Sequence, residues 1–418
     1  MATINTADTS GTLTGLFKEV YAPNLKFLMP KSLKWQNDIA FVPADQQPGG
    51  YYNQPVVVQH EQGFKYAAGN ADAFGVQTQV AGQIKNAQVV GAQILLQSAL
   101  GYEAAARASS GGKRAFVAAT KYLVENMYQS MKKRLEIEIG WGQSGLGTVN
   151  AVNTADITID TAEWAPGIWA GQEQALVDFS EAAWASVHRA TYITAVNIET
   201  KTFTVNTATS IVPTDLVSFK DQVAEDATPA NVVFSQMAGM HKILTNAGTL
   251  FGISAATYSL WKANTQSAGS VTLDFETVQR LVAACVGKGA EDDMILYVNP
   301  VTWATMLADQ AALRLHGDPN KSSRYTIGSE NIEFYSQVGK VTIKPTIYMK
   351  EGFAFLINPS AWHRVGASEV SFRLRDRGDE YFFHLSDYAA YALRCYCNQA
   401  VFTETPGTAG YVSAIVNS

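Results

Sequence analysis

Cysteine is nearly absent: Cys285, Cys395 and Cys397 are the three in a chain of 418 residues. So odd and sparse a set builds no disulfide framework and fits reduced cytoplasmic thiols. Charge is scarce as well. Asp, Glu, Lys and Arg make up 16% of the chain, against about a quarter in an ordinary soluble protein. The formal net charge of −6 leaves none of the basic surplus with which proteins grip phosphate backbones. No apolar run approaches the roughly eighteen residues that a membrane span needs. The opening MATINTADTSGTLTG has neither the basic nor the apolar stretch of a secretory signal. Membrane insertion, secretion and tight nucleic-acid binding are therefore not expected.

Catalytic signatures are missing too. The histidines His60, His188, His241, His316, His363 and His384 are scattered, and none stands in an H-x-x-x-H or H-x-E spacing that would bring two ligands to one metal. There is no G-x-S-x-G elbow and no G-x-x-x-x-G-K-[ST] loop. Adjacent acids such as Asp292 and Asp293 read as a solvated turn. The one tempting motif is GWGQSGLG, Gly140 to Gly147, which holds G-x-G-x-x-G with Asp160 about twenty residues beyond. A dinucleotide site needs a strand before these glycines and a helix after them. Here the order is reversed. Val117, Val124, Met127, Met131, Leu135 and Ile139 recur at helical spacing upstream, and the polar, β-branched TVNAVNTADITID follows. The glycines end a long helix, where positive φ is wanted. No cofactor, no metal and no enzymatic activity are expected.

What is present is apolar surface: 47% of residues are hydrophobic. With so few charges, much of the exterior must be uncharged, which suits burial against other subunits. Residues 1–48 read as an arm interrupted by Pro23, Pro30, Pro43 and Pro48. PVVVQHEQGFKY (55–66) and IKNAQVVGAQILLQ (84–97) read as the two strands of a long flap rich in glutamine, including Gln59, Gln62, Gln77 and Gln79. Such a hairpin is marginal alone in water. It is either a solvated edge of the chain's own sheet or an element that lies on a neighbour, its amides bonding without charge desolvation.

A helix from Gly112 to Ile139, about 40 Å long, follows, with Lys132–Glu136 and Arg134–Glu138 as i,i+4 pairs worth only tenths of a kcal/mol. Residues 172–232 read as a small β-rich unit. Helices are predicted at Phe275–Val286 and Pro300–Asp309 around the strand MILYVN, and mostly strands from Asn331 on. RDRGDE, Arg375 to Glu380, contains the tripeptide of some adhesive ligands but reads as a hairpin tip turning at Gly378. Its charges are either solvated or meet their copies around a symmetry axis.

This order of parts resembles the major capsid proteins of tailed bacteriophages, the Hong Kong 97-type fold. GGYYNQPVVVQHEQGFKYAAGNADAF matches the extended E-loop, FVAATKYLVENMYQSMKKRLEIEIGWGQSGLG the spine helix, ILYVNPVTWATML the axial helix region and RDRGDE a peripheral loop. The resemblance implies an α+β chain divided into an N-terminal arm (1–48), an E-loop hairpin (49–100), a spine helix (101–147), an axial domain (148–350, with the β-rich insertion at about 172–232) and peripheral strands (351–418).

It further implies pentamers and hexamers of an icosahedral virion shell, assembled in the bacterial host cytoplasm around double-stranded DNA held without sequence-specific binding. Expected partners are other copies of the chain, a separate scaffolding protein, a portal and a decoration protein. The expected inter-subunit residues are Gln59, Gln62, Lys65, Phe74, Gln77 and Gln79 on the flap, and Arg375, Asp376, Arg377, Asp379 and Glu380 on the charged hairpin. Some relatives form a lysine–asparagine cross-link between E-loop and peripheral domain, and Lys65 lies near the flap tip, but no pattern identifies an asparagine partner or an assisting glutamate, and no cross-link is expected. The competing readings are an encapsulin-like compartment for protein cargo, which shares the fold, and a β-rich carbohydrate-processing enzyme.

Overall fold

In LEIEIGW, Leu135, Ile137 and Ile139 alternate with Glu136 and Glu138. Residues two apart stand about 160° apart around a helix, so this stretch shows apolar and acidic groups on every side. It is stable as a helix only when surrounded. In the computed structural model it forms the second half of the helix Ala119–Trp141, the spine, and is buried there on all faces. Met127, Met131, Leu135, Ile137, Ile139 and Trp141 all belong to the main core. The structure describes residues 32–42, 52–70, 75, 77–103, 119–181, 184, 187–223, 232–308, 332–337, 339–372, 382–385 and 389–417. The expected start of the spine at Gly112 and most of the arm lie outside these.

Burial changes the meaning of the expected surface pairs. Glu136 does not pair with Lys132. Its carboxylate accepts the backbone N–H groups of Trp35 (2.8 Å) and Gln36 (3.1 Å), at the start of the short helix Lys34–Asp38, which has no side-chain cap of its own. Trp35 is fully buried, edge-on to Tyr297 and stacked near Phe355. Its ring occupies the space a side chain at Gly140 would need, since a Cβ there would fall 2.2 Å from the indole. Positive φ after the helix is found at Gln143 (60°) and Gly145 (80°). Gly140 is needed instead for close approach.

The described part of the arm is pinned from three more sides. Asp38 accepts from the Tyr297 hydroxyl at 2.6 Å and pairs with Lys344 at 2.8 Å. Buried Arg364 donates to the carbonyls of Ile39 and Gln36 and to Gln399 Oε1. Ala40–Val42 then runs parallel to Trp362–Ser371.

Two sheets flank the spine. In the first, the 14-residue strand Ala390–Thr403 is bordered on one side by Trp362–Ser371 and Phe382–His384 and on the other by Ala92–Gly101. In the second the order is Asn264–Val271, Gly410–Ile415, Ala354–Ile357, Met294–Val298, Gly339–Pro345, Ile332–Ser336. The helices Phe275–Val286 and Pro300–Ala308 contribute to the core of that sheet. The first of these helices is capped by Asp274, whose carboxylate accepts the Thr277 N–H at 2.8 Å.

Beside the spine a closed barrel forms from Gly147–Asn153, Asp156–Ile159, Leu176–Ser180, Val187–Asn197, Thr202–Val205 and Leu216–Phe219. The β-rich unit thus starts well before residue 172, because the first two strands close the cylinder. Ala354–Ile357 and Gly410–Ile415, expected among the peripheral strands, complete the second sheet. The run AFLI is buried throughout, as befits a strand covered on both faces. The expected single strand 84–97 is two, Gln83–Val89 and Ala92–Gly101, parted at Gly91, where a Cβ would lie 2.0 Å from the Asn398 side chain. The three cysteines are buried free thiols.

The Trp35–Gly140 contact sets a prediction. Gly140→Ala overpacks a filled site at about 1–3 kcal/mol and recovers up to about 1 kcal/mol of helix propensity. The net result is a loss of stability in urea unfolding. Trp35→Ala alone costs about 3–5 kcal/mol. In that background Gly140→Ala becomes neutral or stabilising. Additive effects would show that the ring and the glycine do not compete for space.

Candidate assembly surface

The flap strands Tyr52–Gln59 and Gln83–Val89 pair antiparallel, with Val57 opposite Ile84. Successive strand residues face opposite sides, so the two faces differ. On the inner one, Val56, Val58 and Ala87 pack with Ile253, Ala255 and Trp261. The base is held by Gln88 N–H to the Phe251 carbonyl (2.9 Å) and by the Tyr258 hydroxyl to Gln83 Oε1 (3.0 Å). On the outer face Val57 and Ile84 are 60% and 65% exposed. Further out the Gln62 N–H meets the Val80 carbonyl at 3.0 Å, and Phe64 and Tyr66 stand in solvent at 69% and 90%.

Of the residues expected at interfaces, Gln59 is half-buried at the end of its strand, and Gln62, Lys65, Gln77 and Gln79 are exposed together on the flap tip. Phe74 and the hairpin residues Arg375, Asp376, Arg377, Asp379 and Glu380 lie outside the described residues. Among the described residues no cluster of His, Cys, Asp and Glu is arranged to hold a metal, and no helix is long and apolar enough to cross a membrane.

A second feature was not anticipated. A cavity of about 440 Å³ lies between the strand Ala92–Gly101, the spine and the barrel. Its strand wall is Gln93, Ile94, Leu95 and Leu96. Four consecutive residues line one wall only where a groove meets the strand's edge, because their side chains alternate between faces. On the spine wall sit Arg134, its guanidinium 3.1 Å from the centre of the Phe219 ring, and Glu138. One Glu138 oxygen accepts from Gln222 Nε2 at 3.2 Å, and Oε2 has no hydrogen-bond partner among the described residues. The available signal was the acid inside LEIEIGW, which had to end up against something.

Electrostatics distinguish the two buried acids only by their partners. Burial pushes Glu136 up to about 7 against the pull of the Trp35 and Gln36 amides, and pushes Glu138 up to about 7 against Arg134 and Gln222. His241, whose ring lies tilted against Trp141 with the centroids 5.1 Å apart, is driven down to about 3 by burial and by the charges of Lys350 and Lys242.

No protein-family model and no curated protein matches the sequence. Solved structures do match its shape. A cyanophage A-1(L) capsid chain superposes with TM-score 0.56 at 11% identity, covering 97% of this chain and 99% of its own. Capsid chains of a native and an empty GTA particle give 0.51 and 0.52 at 8% and 7% identity, each covering 98% of this chain. The fold is that of the phage capsid subunit. In the terms of this Hong Kong 97-type fold, the central helix is the spine and the flap is the E-loop. In this fold the thinnest element, the E-loop, packs its inner face on a small cluster at its base and leaves the apolar pair Val57 and Ile84 of its outer face in solvent.

The buried acids predict a pH dependence. An ordinary glutamate titrates at 4.5, and Glu136 and Glu138 at about 7. Between these values the folded chain keeps protons that the unfolded chain releases, so their contribution to stability falls as pH rises. His241, ordinarily 6.5 and here about 3, acts with the opposite sign, its contribution being lost as pH falls below 6.5. Glu138→Gln removes one declining contribution. Relative to the parent, the variant gains stability as pH is raised from about 5 to about 7 in urea titrations. A difference that stays constant with pH would place the Glu138 carboxyl in its ordinary range.

Proposed function

We propose that this chain is a major capsid protein. Its copies, grouped as pentamers and hexamers, form an icosahedral virion shell around packaged double-stranded DNA, assembled in a bacterial cytoplasm with a separate scaffolding protein, a portal and a decoration protein. The observation that carries the reading is the E-loop. Its strands are ordered and paired, yet its outer apolar pair and its glutamine-rich tip contribute almost nothing to the chain's own core. An isolated hairpin is marginal, so such an element is stabilised by what it meets in the assembly. The mechanism is multivalent closure: many modest contacts, repeated by symmetry, add up to a stable shell. The net charge of −6 accords with enclosing DNA rather than gripping it.

Replacing Gln59–Gln83 by a short turn is expected to leave a soluble subunit with unchanged circular dichroism and an unfolding midpoint close to the parent's. Negative-stain images should show no shells. Normal particles from this variant would remove the E-loop from assembly, and a chain that never forms particles even when co-expressed with a scaffold would remove the container function. The charged hairpin gives a separate test. Arg377→Glu is expected to weaken assembly without unfolding the subunit, and adding Asp379→Arg should restore part of it if the two groups meet across a symmetry axis. Unchanged salt and heat stability of the shells in both variants would make this hairpin a solvated turn.

A further inference from the structure

We propose that the groove between Ala92–Gly101, the spine and the barrel is a binding site for a small zwitterion, a free α-amino acid with an apolar side chain. Its carboxylate meets Arg134 and its ammonium meets Glu138. The site goes beyond the shell reading and does not depend on it.

Three observations converge. First, Glu138 and Arg134 both line the groove, yet neither answers the other. Glu138 is only 5% exposed, and its Oε2 has no hydrogen-bond partner among the described residues. A buried carboxylate oxygen without a donor is costly. Arg134 does not supply that donor, because its guanidinium lies on the Phe219 ring, where the attraction of a cation for the ring face holds it. The i,i+4 pair expected from the sequence is split, and among the described residues the Arg134 N–H groups find no acceptor in its place. Second, the lining carries both signs equally, Arg134 and Lys220 against Glu138 and Asp221. A site with no surplus of either sign favours a ligand that is neutral as a whole and charged at both ends over a simple anion or cation. Third, the volume of about 440 Å³ falls in the range of small-molecule sites, about 300–1,000 Å³. Its apolar lining includes Met131 from the core and the exposed Leu95 and Leu176.

The spacing of the two charges selects the ligand. Residues i and i+4 stand one turn apart on the same face of a helix, about 6 Å along its axis. An α-amino acid carries its ammonium and its carboxylate on one carbon, so it spans that gap with a charge-assisted hydrogen bond of about 2.8 Å at each end. Its side chain then turns to Leu95, Leu176 and Met131, where burial removes apolar surface from water. A ligand of one sign answers one ion and leaves the other unmet. A peptide segment offers uncharged N–H and C=O groups and leaves both ions without a counter-charge.

The test is isothermal titration calorimetry of the full-length chain with L-leucine and two analogues that each lack one charge. L-Leucinamide keeps the ammonium, and 4-methylpentanoate keeps the carboxylate. Saturable binding of leucine is expected, with each analogue weaker by about tenfold or more, the loss of one charge-assisted hydrogen bond. Glu138→Gln should weaken leucine by about the same factor without weakening 4-methylpentanoate, and Arg134→Met should weaken leucine without weakening leucinamide. Photo-leucine, which carries a diazirine in its side chain, should on irradiation label residues 93–96, 130–138, 176 or 219–222. No saturable leucine binding, analogues that bind as well as leucine, or labelling confined to another face overturns the site. Tighter binding of N-acetylleucine methylamide, which has peptide groups and no charge, also overturns it and makes the groove a peptide site. The comparison of ligands on the parent chain decides the matter even where a variant fails to fold. None of these outcomes bears on whether copies of the chain build shells.

Discussion

A missing Cβ at Gly140 is the constraint on which the rest of the structure depends. It lets the Trp35 indole lie against the spine, and from there the ring reaches Tyr297 and Phe355 of the six-stranded sheet. Glu136, one turn earlier, gathers the two backbone amides that start the arm's short helix. The same arm segment then supplies Asp38 to Tyr297 and Lys344 and a strand to the other sheet. Spine, arm and both sheets therefore share one junction. A buried carboxylate is tolerable there because its oxygens meet N–H donors that have no partner in their own helix.

Around this junction several ionisable side chains are enclosed. Glu136, Glu138, Lys350 and Arg364 are buried or nearly so. The E-loop carries mostly amides and apolar groups into solvent, with Glu61, Lys65 and Lys85 among them. Amides and apolar side chains can be buried at a new contact without desolvating an ion, so an interface built from them costs less to form. A rigid junction and a thin projecting hairpin are what the proposed shell role asks of one subunit, which would hold its shape while touching neighbours.

Much of this was legible in the residues. Phe275–Val286, with Asp274 before it, carries its own cap and its own apolar stripe, and both are local signals. The MILYVN strand and the spine were equally plain. Reading failed where the deciding contact lay far along the chain. Ile84–Gln97 looks like one strand until Gly91 meets Asn398. The barrel's start at Gly147 is set by closure between Gly147–Asn153 and Leu216–Phe219, which no window of neighbouring residues displays. The short apolar run Ala354–Ile357 says that a strand is buried and not beside what, and its place between Met294–Val298 and Gly410–Ile415 comes from long-range pairing alone.

By itself the sequence determined the absence of catalytic machinery motifs, the existence of a long helix ended by glycines, and a hairpin whose amides and apolar groups have too little of their own core to cover. These follow from composition and from periods of two and 3.6 residues, which act over neighbouring positions. Only the tertiary structure decided what Glu136 and Glu138 do. Two residues apart on one helix, they face opposite ways. One meets the arm a hundred residues earlier, and the other meets Gln222 and an open groove. Exclusion of water, which sets their charge and their need for partners, belongs to the assembled core and to no stretch of chain.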